Sequence, residues 1–208
     1  MDGGPLAGTG DARYFRYDVH GRRTWEIDGV GANGLRTARR HTYRNSDDRP
    51  TRTEEGTIPT HDSTALTVLR QTDVTYDARR NPAIEAVSSA GTSYTLVQRT
   101  FDQSNRLECE ARRMNPAAFG TVPASACDLG TQGSQGPDRI TRNIYDAAGQ
   151  LLQVQRAYRI TTANGFPATL QQNYATYTYS ANGRRASVTD ANGNRAELRH
   201  DGHDRLAR

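Results

Sequence analysis

Residues 179–208 read YSANGRRASVTDANGNRAELRHDGHDRLAR. This stretch decides the fold, because it reads as three short strands joined by tight turns. Asn182-Gly183 and Asn192-Gly193 supply residues that tolerate positive φ, so two-residue type I′ hairpin turns are expected at both places. Between and after the turns the chain alternates. Ala196 and Leu198 share one face, and Arg195, Glu197 and Arg199 share the other, the pattern of a half-buried strand. The pattern then restarts, with His200-Asp201 standing where Tyr179-Ser180 stood 21 residues earlier. A hairpin that recurs in one chain is a repeat, and its other copies lie upstream.

These copies are YDVHGRR from Tyr17, YRNSDDRP from Tyr43, YDARRNP from Tyr76, FDQSNRL from Phe101 and YDAAGQL from Tyr145. Each places an aromatic residue, usually Asp, and a few turn-forming residues before a return strand that often opens on Arg or Gln. The copy at Tyr43 lacks the Asp, and the copy at His200 lacks the aromatic. Tyr17, Tyr43, Tyr76, Phe101, Tyr145 and Tyr179 are therefore the expected repeat anchors. This series resembles the YD-repeat (Rhs-repeat) family and covers nearly all of the chain after residue 13. The residues themselves predict an all-β fold, an array of antiparallel β-hairpin repeats with almost no helix.

Composition agrees with such an array. Leu, Ile, Val and Phe make up 31 of 208 residues, too few for an ordinary core, yet a net charge of +4 is too small for a disordered chain. Hairpins that each bury a thin apolar stripe against their neighbours reconcile the two. All 27 basic residues are Arg. Acidic residues lie among them throughout, so a solvated mixed-charge surface is expected and no nucleic-acid interface. No apolar run approaches the roughly 18 residues of a membrane span. The opening MDGGPLAGTGD has neither the basic nor the apolar region of a signal peptide.

The expected organisation is a flexible Gly-rich lead-in over residues 1–12, then the repeat array over 13–208. Residues 35–61, rich in Arg and Thr, read as edge-like strands or an excursion from the array. Leu66, Val68, Val74 and Tyr76 share a parity, as do Leu152, Val154, Tyr158 and Ile160, and Asn164-Gly165 reads as a turn. An irregular insertion at about 109–137 interrupts the rhythm, since Phe101 and Tyr145 stand 44 residues apart. Cys109 and Cys127 bracket it. In an oxidising compartment they can bond, and otherwise they are two packed thiols.

Candidate chemistry is sparse. His200, Asp201, His203 and Asp204 are metal-ligand types, but the repeat register already explains their positions. Asp190, Asn192 and Asn194 resemble part of a calcium loop without its closing Glu. Ser134 lacks the flanking glycine of a nucleophile elbow. No catalytic residue, metal or cofactor is expected.

The family resemblance implies more. Rhs/YD-repeat proteins are large secreted or surface proteins whose repeats wind into a β-sheet closed as a hollow shell. In bacterial members the shell encloses a toxic C-terminal domain. The chain is thus expected to be an open section of such a shell from a longer secreted or cell-surface protein. Its partners would be neighbouring repeats and an encapsulated toxin domain. A carbohydrate- or cell-surface-binding module, with Tyr and Arg contacting glycans, is the alternative.

Overall fold

The computed structural model describes residues 12–31, 33–44, 46–160, 162–163, 166–167, 171–203 and 205–207. The lead-in and the Asn164-Gly165 turn lie outside the described residues. Thirteen strands follow one another in chain order as an antiparallel meander, so the all-β hairpin array is the fold of the protein. The single helical turn described is the 3-10 segment Pro116–Ala118. The chain divides into two compact units, one ending at Leu96 and one beginning at Val97.

The first unit contains β1 (Tyr14–Tyr17), β2 (Arg23–Val30), β3 (Arg36–Tyr43), β4 (Pro50–Ile58), β5 (Thr67–Tyr76), β6 (Pro82–Ser89) and the start of β7 (Thr92–Phe101). Residues 35–61 prove to be two full strands of the meander. Cross-strand charge pairing supplies what apolar content does not. Glu26, Arg39, Glu55 and Arg70 stand opposite one another across four strands. Arg39 bonds Glu55 at 2.7 Å and approaches Glu26 at 3.6 Å, while Arg70 approaches Glu55 at 3.4 Å. Such opposite-charge pairs each add about 0.2–1 kcal/mol to a sheet.

Alternation sends the neighbouring residues of each strand to the other face, where Trp25, Ile27, Ala38 and Ile58 form the core with Tyr14 and Leu66 packed on them. Ile27 and Ile58 are fully buried, worth about 2 kcal/mol each. The segment after β4 lies over this cluster. Arg16 sits over the Trp25 ring at 4.9 Å and donates to the carbonyls of His61 and Ser63, and the His61 ring stacks on Tyr14 at 4.3 Å.

The parity read for β5 fails at a bulge. Glu55 pairs with Arg70 but Gly56 with Val68, which leaves Leu69 extra and 60% exposed, so parity does not carry through β5. A β-carbon on Gly56 would stand 1.9 Å from the Thr67 carbonyl oxygen, and only glycine fits there. A type I′ signature does occur, but at Ala90 and Gly91 between β6 and β7, with φ of 47° and 78°.

The second unit runs from the end of β7 through β8 (Leu107–Arg113), β9 (Arg139–Tyr145), β10 (Leu151–Arg156), β11 (Thr162–Ala163), β12 (Phe166–Pro167), β13 (Gln172–Tyr179), β14 (Arg185–Asp190), β15 (Arg195–Glu197), β16 (Arg199–His200) and β17 (Leu206–Ala207). β11–β12 and β16–β17 are separate two-stranded ladders. Its core gathers Cys109, Ala111, Ala126 and Ile140 beneath Cys127 and Tyr158. Tyr158 and Ile160 lie past the end of β10, because the chain leaves the strand through Ala157 and Arg159 at φ of 49° and 64°. β15 is exposed at all three residues, not half-buried as its alternation suggests.

Candidate functional site: the repeat junction

The hairpins at the repeat motifs are closed by a side chain. Asp18 Oδ1 accepts from the backbone N–H of His20 and Arg22 at 2.9 and 3.0 Å. Asp77, Asp102, Asp190 and Asp201 do the same for the residues two and four positions on. Ser180 accepts from the Arg184 N–H. The residue three positions after that Asp or Ser takes positive φ, as at Gly21, Arg80, Asn105, Gly149, Gly183 and Gly193. The turns around Asn182 and Asn192 are therefore not type I′. Asn182 and Asn192 are absent from the positive-φ residues, and a side-chain-locked type I turn ends in a single left-handed residue.

After the turn the return strand carries one unpaired extra residue at its second position. Tyr17 pairs with Arg23 but Arg16 with Trp25, leaving Thr24 over. Thr51, Ala83, Leu152 and Ala186 stand in the same place. Such a bulge bends and twists the strand. Between one return strand and the next the ladder stops short, its last pairs being Trp25–Arg40, Arg52–Asp73, Cys109–Arg142 and Gln153–Thr176.

The repeat tyrosine closes the gap beyond each of those pairs. Tyr43 donates its hydroxyl to the Arg23 carbonyl at 2.8 Å, Tyr76 to Pro50 at 2.8 Å, Tyr145 to Leu107 at 3.0 Å and Tyr179 to Leu151 at 2.8 Å. Every acceptor is the first residue of the preceding return strand, and every donor lies three residues past the last ladder pair. The turn arginine of the preceding repeat covers the ring. Arg22 lies 5.1 Å from the Tyr43 centroid, Arg49 5.8 Å from Tyr76 and Arg106 4.6 Å from Tyr145. Asp18 and Asp102 hold those arginines in place at 2.6 and 2.7 Å. At Tyr43, Tyr76 and Tyr145 a junction is thus an Asp-held Arg, a phenol stacked on it and a backbone carbonyl that takes the phenol's hydrogen bond, while at Tyr179 Gln150 stands in the arginine's place and the hydroxyl bond remains.

Phe101 ends β7 half-buried and has no hydroxyl to donate, while Tyr17 at the end of β1 is 59% exposed. Where the hydroxyl bond is made, Tyr179→Phe should lower the unfolding free energy by about 1 kcal/mol and Tyr179→Ala by about 3 kcal/mol. Urea titration measures both. An unchanged Phe variant would show the hydroxyl idle.

The junction also titrates. Burial tends to raise the carboxyls of Asp18, Asp77 and Asp102, but the turn hydrogen bonds outweigh it and hold all three below the ordinary aspartate value. At Asp190 and Asp201 the side chains of Asn194 and Arg205 are the leading cause of the same shift. A folded value below the unfolded one gives stability that is present above about pH 4 and lost as pH falls through the folded value. Burial pushes the phenols of Tyr76 and Tyr145 up. Their contribution holds up to about pH 10 and is lost as pH rises through the raised folded value. Urea midpoints should therefore plateau near neutrality and fall on both sides, and Tyr76→Phe with Tyr145→Phe should flatten the alkaline arm.

A second arrangement holds the segment between β8 and β9. Cys109 and Cys127 are joined by a disulfide, with Cα atoms 5.3 Å apart. Arg113 and Asp138, with side chains 3% and 4% exposed, pair at 2.7 Å. Arg113 also donates to Gln98 Oε1 and to the carbonyls of Asp128 and Ser125. Asp138 accepts from the Met114 and Gly130 N–H groups, both at 2.8 Å. All five guanidinium N–H groups have partners.

The remaining sequence candidates serve the fold. Asp201 closes its turn and holds Arg205, and Asp190 with Asn194 closes another. Asp204 lies outside the described residues. Among the described residues no group of three or more His, Cys, Asp or Glu is placed to hold a metal ion, and no helix is long and apolar enough to cross a membrane.

Residues 145–195 and 179–208 match the family model described as RHS Repeat. No curated protein matches the chain in sequence. Among solved structures, the crystal structure of TcdB2-TccC3-Cdc42 is similar over 95% of this chain, at 15% identity and a TM-score of 0.49. A Photorhabdus luminescens Tc holotoxin pore with a TccC3 mutation is similar over 92%, at 14% identity and a TM-score of 0.46. The chain spans about a tenth of the length of either. The matched segments contain Tyr145 and Tyr179, and the hydroxyl bond that these two residues make recurs upstream at Tyr43 and Tyr76, so residues 145–208 are similar to RHS repeats and the same local arrangement extends beyond them.

Proposed function

We propose that the chain is a non-catalytic structural section of an Rhs/YD-repeat shell. The shell belongs to a secreted or surface bacterial protein and encloses or presents a C-terminal effector encoded beyond these residues. One observation carries the reading: at four of the repeat anchors the tyrosine hydroxyl is spent on the preceding repeat's backbone. Groups tied up in assembly are poor candidates for catalysis or for a glycan platform. The Cys109–Cys127 disulfide supports export, since such bonds persist in oxidising compartments. We assign residues 13–208 to the array, residues 1–12 to its lead-in and the segment at about 109–137 to an insertion within it.

The test is limited proteolysis of the longer protein that contains this chain, against its downstream domain expressed alone. An enclosed effector should resist digestion in the longer protein and be cut when alone. Equal cleavage rates would overturn enclosure.

A further inference from the structure

A strap crosses the sheet of the second unit. Residues 123–128 are fastened to β7 and β8 by side chains of both strands. Gln98 Nε2 donates to the Pro123 carbonyl at 2.8 Å, and Thr100 Oγ1 accepts from the Ala126 N–H at 2.8 Å. Arg113 donates to the Ser125 and Asp128 carbonyls. The covalent fastening is the Cys109–Cys127 disulfide. Its two ends are unequally placed, since Cys109 is fully buried and Cys127 only partly.

Arg142 on β9 stands directly across the ladder from Cys109 on one side and from Gln155 of β10 on the other. Directly paired residues project to the same face, here the face that carries the core of Cys109, Ala111 and Ile140. The tip of the Arg142 guanidinium is in use. One terminal nitrogen donates to the Tyr158 hydroxyl at 3.0 Å, and the other approaches Glu108 Oε1 at 3.4 Å. Its Nε is buried and has no hydrogen-bond partner among the described residues. A buried donor left without an acceptor costs free energy, and the sulfur across the ladder becomes a strong acceptor once it is a thiolate.

We propose that the disulfide is a thiol-exchange site, opened by a small thiol of the glutathione class and assisted by Arg142. The small thiolate attacks Cys127 Sγ, the more accessible sulfur. The Sγ–Sγ bond breaks, a mixed disulfide forms on Cys127, and Cys109 leaves as a thiolate. Freed from Cys127, the Cys109 sulfur turns about its Cα–Cβ bond toward the Arg142 Nε–H, which stabilises the departing charge. A stabilised thiolate leaves faster. A second small thiol attacks the mixed disulfide and releases the Cys127 thiolate. Two small thiols are thereby oxidised to one disulfide, their two electrons reduce the protein bond, and their two protons pass through water to Cys109 and Cys127. The strap keeps only its non-covalent bonds, so it lifts in a reducing compartment and stays shut in an oxidising one. None of this depends on the shell reading, and enclosure of an effector is tested separately.

The oxidised 208-residue chain, incubated with reduced glutathione without denaturant, tests it. Alkylation of free thiols at timed intervals, read by mass spectrometry, follows the exchange. Glutathione should appear first on Cys127 and not on Cys109. Arg142→Met should slow loss of the disulfide about tenfold, the value of a hydrogen bond to a charged group. The direction separates this role from a structural one, because a variant that merely loosened the packing would expose the bond and be reduced faster. Arg142→Gln, which keeps a donor for Tyr158, should slow it alike, and circular dichroism melts select whichever variant is folded. Reduction should speed hydrogen exchange at the Ala126 and Gly130 amides and leave β13 and β14 unchanged. A folded variant reduced as fast as the parent or faster overturns the proposal. So does glutathione found first on Cys109, or reduction of the parent no faster than its global unfolding.

Discussion

Asp138→Ala is expected to destabilise the protein by about 4 kcal/mol, because it strands a buried guanidinium without its counter-charge. Arg113 is almost wholly shielded from water. Its side chain is 3% exposed, and its other donors face Gln98, Ser125 and Asp128. Loss of the carboxylate also frees the Met114 and Gly130 N–H groups, each a further desolvated donor. Arg113→Met combined with Asp138→Leu should cost much less than the sum of the single changes, since an apolar pair can replace a buried ion pair at little net loss. Urea midpoints decide it. A single variant within about 1 kcal/mol of the parent would mean that water reaches the pair after all.

Removing the disulfide should cost about 3 kcal/mol, the stabilisation given by closing a loop of this length in the unfolded chain. Cys109→Ala with Cys127→Ala is the cleaner variant, because a serine at position 109, which is fully buried, would add an unmet hydroxyl. Urea unfolding with and without a reductant should show the same loss in the parent and none in the double variant. The cysteine and Asp138 changes should not add. Both release residues 114–138, and whichever acts first removes much of what the other protects.

The meander was legible from alternation and from the spacing of Tyr and Asp. Its turn type was not, because Asn-Gly dipeptides suggested a backbone signal where an Asp or Ser side chain, two residues before the Asn, sets the geometry. The strands over residues 36–58 were obscured because their stabilising pairs are charged, and such pairs announce themselves only once register is known. Bulges hid the parity of β5, since one extra residue exchanges the faces. The repeat tyrosines stood out, yet their acceptors did not, as a carbonyl has no residue identity. The Arg113 cluster gave no local sign at all. Its partners come from three separate stretches, one within β7 and two in the segment before β9, and nothing in the neighbourhood of any one of them singles it out.

The donor and acceptor of successive junctions are 20, 26, 38 and 28 residues apart in sequence, yet the bond they make is the same. The variable lengths are taken up at the far end of each hairpin, by the short link after β2, the covering segment after β4, the disulfide-bound segment after β8 and the chain between β10 and β13. Growth in this architecture is one-sided. Segments of almost any size can be gained or lost along one rim without disturbing the register of the other, so diversification and inserted tags are best tolerated there, while a single residue added between a tyrosine and the carbonyl opening its return strand should throw every later unit out of step.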